Sequence, residues 1–143
     1  MARRRAKRVD RAEATPGLVL DAGALQALER RHVRLLVELR HAHALGLPVR
    51  IPAGSLAQSW RGGPRSASIA RLLKQPCTVV QVDERSAREV GELIAALRLA
   101  DDKPDVVDAH VALVARATRS LVWTSDPGDL ERYGVDPAFI RRL

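Results

Sequence analysis

The sequence predicts an α/β protein with a central parallel sheet and helices on both of its faces. Three observations predict it. Short apolar or β-branched runs alternate with amphipathic stretches of roughly ten residues, the pattern of βαβ units. Two of those runs end directly on an acid, Asp21 after Leu18-Val19-Leu20 and Asp126 after Leu121-Val122-Trp123-Thr124-Ser125. The chain has 143 residues and is 46% hydrophobic, enough apolar material for one packed core. With only 3% aromatic residues, that core must be built from Leu, Val and Ala.

Residues 1–17 carry six Lys and Arg (Arg3, Arg4, Arg5, Lys7, Arg8, Arg11) against Asp10 and Glu13, which is +4 of the chain's net +7. The expected organisation is a basic, flexible tail over 1–17 and one domain over 18–143. The tail reads either as an arm that binds phosphate or as a solvated extension. Gly17-Leu18-Val19-Leu20 is the first expected strand. A helical stretch follows, with Leu25, Leu28, Val33, Leu36, Val37 and Leu39 at mainly three- and four-residue intervals, and it stops near Gly46 and Pro48. Val49–Pro52 is expected to be extended, and a helix is expected from Ser55, a suitable N-cap. Gly62-Gly63-Pro64 breaks the chain before a short helix over Ser66–Lys74. Thr78–Asp83 is β-branched and reads as a strand. Ser86–Leu99 reads as a helix with Val90, Leu93, Ile94 and Leu97 inward. After the break Asp101-Asp102-Lys103-Pro104 come a helix over Asp105–Thr118, a strand at Leu121–Thr124 and a last short helix or turn around Pro137–Leu143.

Several function classes are excluded. A single cysteine, Cys77, rules out a disulfide framework and a cysteine-based zinc module. No apolar run approaches the roughly 20 residues of a membrane helix, and the basic start is followed by polar residues rather than a secretory segment. A cytoplasmic protein with no membrane contact is expected.

The acids carry the chemistry. In an open parallel sheet, ligands bind outside the carboxyl ends of the strands, where Asp21 and Asp126 are expected. Asp129 lies one turn beyond. Asp105 and Asp108 are three apart and share one face near a helix start, although Asp105 there also reads as a simple N-cap. Carboxylates converging at one sheet edge repel each other, and a hard divalent cation such as Mg²⁺ or Mn²⁺ relieves that repulsion. A cluster of acids in a chain of positive net charge suits a polyanionic substrate, with the acids on metal and arginines on phosphate.

The ordered set Leu20-Asp21, Asp108-Ala109-His110-Val111-Ala112-Leu113-Val114-Ala115 and Thr124-Ser125-Asp126-Pro127-Gly128-Asp129-Leu130 resembles the PIN domains, most closely the small bacterial VapC-type toxins. The resemblance spans about residues 18–133. It implies a Rossmann-like three-layer α/β/α sandwich and an endoribonuclease dependent on Mg²⁺ or Mn²⁺. It also implies frequent homodimers and, for a toxin, a small antitoxin partner. On this resemblance Asp21, Asp108 and Asp126 are the catalytic acids and, with Asp129, the metal ligands. Thr124 and Ser125 match the hydroxyl positions that orient a carboxylate or water, and Asp105 has no fixed role. Where the family usually has a Glu, this chain has Gln58, which brings an amide oxygen but neither charge nor basicity. That departure motivates the competing expectation of a degenerate PIN fold that binds RNA or protein without cutting.

Other residues are read more plainly. Arg61 and Arg65 beside the Gly-Gly-Pro break are candidate contacts to an RNA backbone, or part of a solvated face. Trp60 and Trp123 are expected to pack, with base stacking by Trp60 as the alternative. His41 and His43 point to different sides of a helix and suit the surface, His110 is expected outside the acid cluster, and Cys77 is expected to pack.

Overall fold

The computed structural model describes residues 15–97 and 104–143. The tail to residue 14, the end of the predicted helix at 98–99 and most of the break at 101–104 lie outside the described residues. Five strands, β1 (Leu18–Leu20), β2 (Val49–Pro52), β3 (Thr78–Val80), β4 (Leu121–Thr124) and β5 (Ile140–Arg142), form one sheet in the order β3-β2-β1-β4-β5. Every pairing is parallel. The helices are α1 (Ala22–Glu29), α2 (Val33–Ala44), α3 (Ala53–Ser59), α4 (Ala67–Leu73), α5 (Glu84–Leu97), α6 (Val106–Thr118) and α7 (Pro127–Arg132).

Alternation along the strands sends side chains to two separate cores. Leu18, Leu20, Val49, Ile51 and Trp123 pack against Leu25 and Leu28 of α1, Leu35 and Leu39 of α2, and Ile69 and Leu72 of α4. Val19 and Val122 face the other way, onto Val90 of α5, Ala109, Val111 and Ala112 of α6, and Leu130 of α7. The result is a three-layer α/β/α sandwich of Rossmann-like form. Because β1 lies between β2 and β4, the sheet order reverses at β1, and the carboxyl ends of β1 and β4 flank the crevice there. Asp21 and Asp126 follow those two strands.

The amino end of the sheet is closed by a buried polar knot. Ser120 Oγ accepts from Gly17 N–H at 3.0 Å and from Arg50 Nη1 at 3.3 Å, and shares a hydrogen bond with Thr118 Oγ1 at 2.7 Å. Among the described residues no helix is long and apolar enough to cross a membrane.

The structure departs from the sequence reading at four places. The long helical stretch is two helices, because Arg31 turns into the left-handed region at φ 54° and His32 Nδ1 accepts from Leu35 N–H to start α2. The helix expected from Ser55 begins two residues earlier, directly off Pro52, and Ser55 is buried inside it. The third strand stops at Val80, since Asp83 caps α5 by accepting from Ser86 N–H at 2.8 Å. The expected last helix is a 3₁₀ turn, Pro137–Phe139, followed by the edge strand β5. Its Arg141-Arg142 hides a strand whose only inward apolar contact comes from Ile140.

Candidate functional site

Asp21 sits where β1 becomes α1. Its backbone is extended, and its carboxylate accepts from Ala24 N–H at 2.8 Å, so it caps the helix. It is only 9% exposed. Burial raises its pKa; hydrogen bonds from the Thr124 hydroxyl and the Ala24 and Gly23 amides partly offset the rise, and the charge of Asp126 adds to it.

Thr124, the last residue of β4, is buried and its hydroxyl serves both strand-end acids. It donates to Asp21 and accepts from Asp126 N–H at 3.0 Å. Ser125 is exposed, and its hydroxyl lies over the first turn of α1.

Asp105 caps α6, accepting from Val107 N–H at 2.8 Å and Asp108 N–H at 3.0 Å, as its position predicted. Asp108 stands in the first turn and is half-buried. Its pKa is pushed up to about 7, first by burial and then by the charges of Asp105, Asp129, Asp21 and Asp126. Asp129, in the first turn of α7, is also raised, by partial burial and then by Asp126, with Arg132 opposing. Acids from three separate parts of the sequence thus act on one another at the carboxyl end of the sheet.

The donor set suits a hard divalent cation in its chemistry, being oxygen-only and rich in carboxylates. Among the described residues, no three His, Cys, Asp or Glu side chains are gathered in an arrangement that would hold an ion. Mg²⁺ commonly takes only one or two carboxylates, completing its shell with waters and substrate phosphate.

Gln58 is exposed, three residues after the buried Ser55 and one before the buried Ser59. Arg61 and Arg65 are exposed on the loop that follows. Trp60 corrects the expectation of packing: it is the C-cap of α3 and is 41% exposed. The buried side of this short helix is filled by serines, and Trp60 falls past its end. Trp123 packs as expected, with Arg34 over its ring at 5.8 Å. His110 is buried among the α6 contacts, and desolvation lowers its pKa. His41 is exposed and His43 half-buried, while Cys77 packs beside the first core with its thiol on Leu72 C=O at 3.5 Å.

Two residues that position the site escaped the sequence reading. A Cβ on Gly23 would stand 2.3 Å from Ser125 Oγ, so only glycine lets the β4–α7 loop close over α1. A glycine in the first turn after a strand-end acid was the available signal. Tyr133, the chain's only tyrosine, is buried, and its hydroxyl accepts from Asp105 N–H at 2.9 Å. It fixes the start of α6 and so the position of Asp108, a contact between residues 28 apart that local sequence does not reveal.

Scanned against models of protein families the chain matches none, and a search of curated proteins finds no match.

Proposed function

We propose that this chain is an endoribonuclease dependent on Mg²⁺ or Mn²⁺, of the PIN-domain type. On the resemblance of its motifs to VapC-type toxins, we further propose that it works in the cytoplasm as a homodimer restrained by a small antitoxin. The observation that carries the nuclease reading is Asp108, set in the first turn of α6, where burial and then the charges of Asp105, Asp129, Asp21 and Asp126 push its pKa up to about 7. A structural role gives little reason to bring these acids together, whereas a cation site needs the negative charge they supply.

Asp21, Asp108 and Asp126 would hold the ion directly or through water, with Asp129 in support and Gln58 as a neutral neighbour. A bound divalent cation would supply charge neutralisation at the phosphodiester and a more acidic water. The chain's own residues do the rest. Thr124 holds Asp21 in one orientation while fixing the backbone of Asp126. Asp105 and Tyr133 fix the first turn of α6. Arg61 and Arg65 would bind the RNA backbone and orient it for in-line attack.

The test is cleavage of total tRNA and rRNA by metal-stripped protein, with and without added Mg²⁺ or Mn²⁺, beside an identically purified Asp108→Asn protein. Metal-dependent cutting that the variant lacks supports the reading. Cutting by the variant at the wild-type rate refutes the assignment of Asp108. One observation favours a second reading, an RNA- or protein-binding module without catalysis: the side chain at 58 is neutral and turned to solvent. No cutting and no metal binding by calorimetry would select that reading.

A further inference from the structure

Between Glu38 and Asp83 the sequence contains no acid, while it contains Arg40, Arg50, Arg61, Arg65, Arg71 and Lys74. This acid-free stretch includes α3, which starts beside the acidic cluster: a Cβ on Gly54 would meet Val107 Cγ2 at 2.9 Å, one residue before Asp108. From there α3 runs along the start of α1, where Ser59 Oγ donates to Ala22 C=O at 3.1 Å beside Asp21, and ends on Trp60. An indole left open to water is an unfavourable use of the largest apolar side chain, unless something covers it.

The backbone around Trp60 is held firmly. Trp60 N–H donates to Leu56 C=O at 2.8 Å. The next two amides, Arg61 and Gly62, both donate to Ser66 Oγ at 2.8 and 3.1 Å. Arg61 Nη1 donates to Trp60 C=O at 2.7 Å, which ties its guanidinium to the Trp60 backbone. Glu29, the acid that reaches this region, is engaged in capping α4 through Ile69 N–H at 2.9 Å. An exposed aromatic on a rigid backbone, followed by two exposed arginines and free of nearby acids in sequence, is a combination that binds a single-stranded nucleic acid by stacking and phosphate contact.

We propose that Trp60, with Arg61 and Arg65, is a stacking platform for an unpaired RNA base flanking the phosphate held at the acidic cluster. The platform rests on the nuclease reading above and makes single-stranded RNA its substrate. A protein partner is the competing occupant of the indole, but the two exposed arginines that follow it, Arg61 and Arg65, favour a polyanion.

The chain's two tryptophans make the test direct, since Trp123 is 3% exposed and serves as an internal control. A labelled single-stranded oligoribonucleotide is titrated in EDTA, which suppresses metal-dependent cleavage, and both its anisotropy and tryptophan emission are followed. Binding is expected to quench wild-type emission, and Trp60→Phe is expected to abolish the quench while keeping affinity within about threefold. Trp60→Ala, a surface change, is expected to weaken binding about tenfold, and the loss is expected to be absent for duplex RNA of the same sequence. RNA binding with unchanged affinity in Trp60→Ala and no quench overturns the platform alone and points to a protein partner. No RNA binding by the wild type overturns the platform together with the nuclease reading.

Discussion

Replacing Asp108 by Asn should make the metal-free protein more stable, and the gain should depend on pH in a way that burial of a neutral side chain would not produce. The folded-state pKa of about 7 lies roughly three units above the ordinary 3.8. At about 1.4 kcal/mol per unit the ceiling is about 4 kcal/mol, and screening at this half-buried position reduces it to about 2 kcal/mol. A carboxyl whose folded pKa is raised leaves stability intact below the unfolded value, where both states are protonated. Stability is lost as pH climbs from about 4 to about 7, where the folded protein must release a proton it prefers to hold. The Asn variant escapes that loss. In EDTA at about pH 8 its melting temperature should exceed the wild type's by about 5 °C, while at about pH 4 the two should coincide. Saturating Mn²⁺ should reverse the order, since it stabilises wild type by about 3 kcal/mol at a hundredfold excess over Kd and the variant by much less. An Asn variant no more stable than wild type at the higher pH would refute the electrostatic account. Equal stabilisation of both proteins by the metal would refute Asp108 as a ligand.

Three further outcomes are expected. Gly23→Ala drives a methyl group into Ser125 Oγ and should destabilise the fold by about 1–3 kcal/mol. Because the clash displaces the loop carrying Asp126, metal affinity by calorimetry should fall too, and an unchanged affinity would separate this contact from the site. Tyr133→Phe leaves the part-buried Asp105 N–H without its acceptor, costing about 1 kcal/mol. Amide exchange at residues 105–108 should quicken more than in α2, and uniform exchange across the chain would contradict a local role. Gln58→Glu adds a carboxylate near the acids and should raise metal affinity and any weak cleavage; no change in either would mean that position 58 stands apart from the cation.

How much of this was legible in the sequence depends on the range of the interactions involved. The strand-end acids were legible because a strand of three or four residues followed at once by an acid is a local pattern, and the parallel sheet then fixes where its carboxyl end must be. The N-cap role of Asp105 was legible for the same reason, a carboxylate one residue before an apolar helix. What was hidden was set by contacts distant in sequence or by the absence of a side chain. The edge strand β5 shows one inward residue and two arginines, too little pattern to distinguish from a turn. The break at Arg31 comes from one left-handed residue between two amphipathic helices whose spacing runs on almost unbroken. Trp60 was expected to pack because it was placed within an amphipathic helix. Starting at Ala53, the helix ends on Trp60 and leaves its ring outside.

The same shift of helix start changes what Gln58 means. A helix leaving Pro52 directly, with Gly54 against Val107, brings its first turn against α6 and turns position 58 toward solvent. There a carboxylate would add to the repulsion already centred on Asp108, whereas an amide extends the acid-free surface that continues through Trp60 to Lys74. On this view the neutral residue marks a division of labour between two adjoining surfaces, an acidic one for a cation and a basic one for a strand. The two accounts of Gln58 therefore differ in a measurable sign. If glutamine marks a retired centre, Gln58→Glu should strengthen metal binding and leave RNA affinity unchanged. If it belongs to the strand-binding surface, the same substitution should weaken RNA binding in EDTA, with the loss growing as salt is lowered.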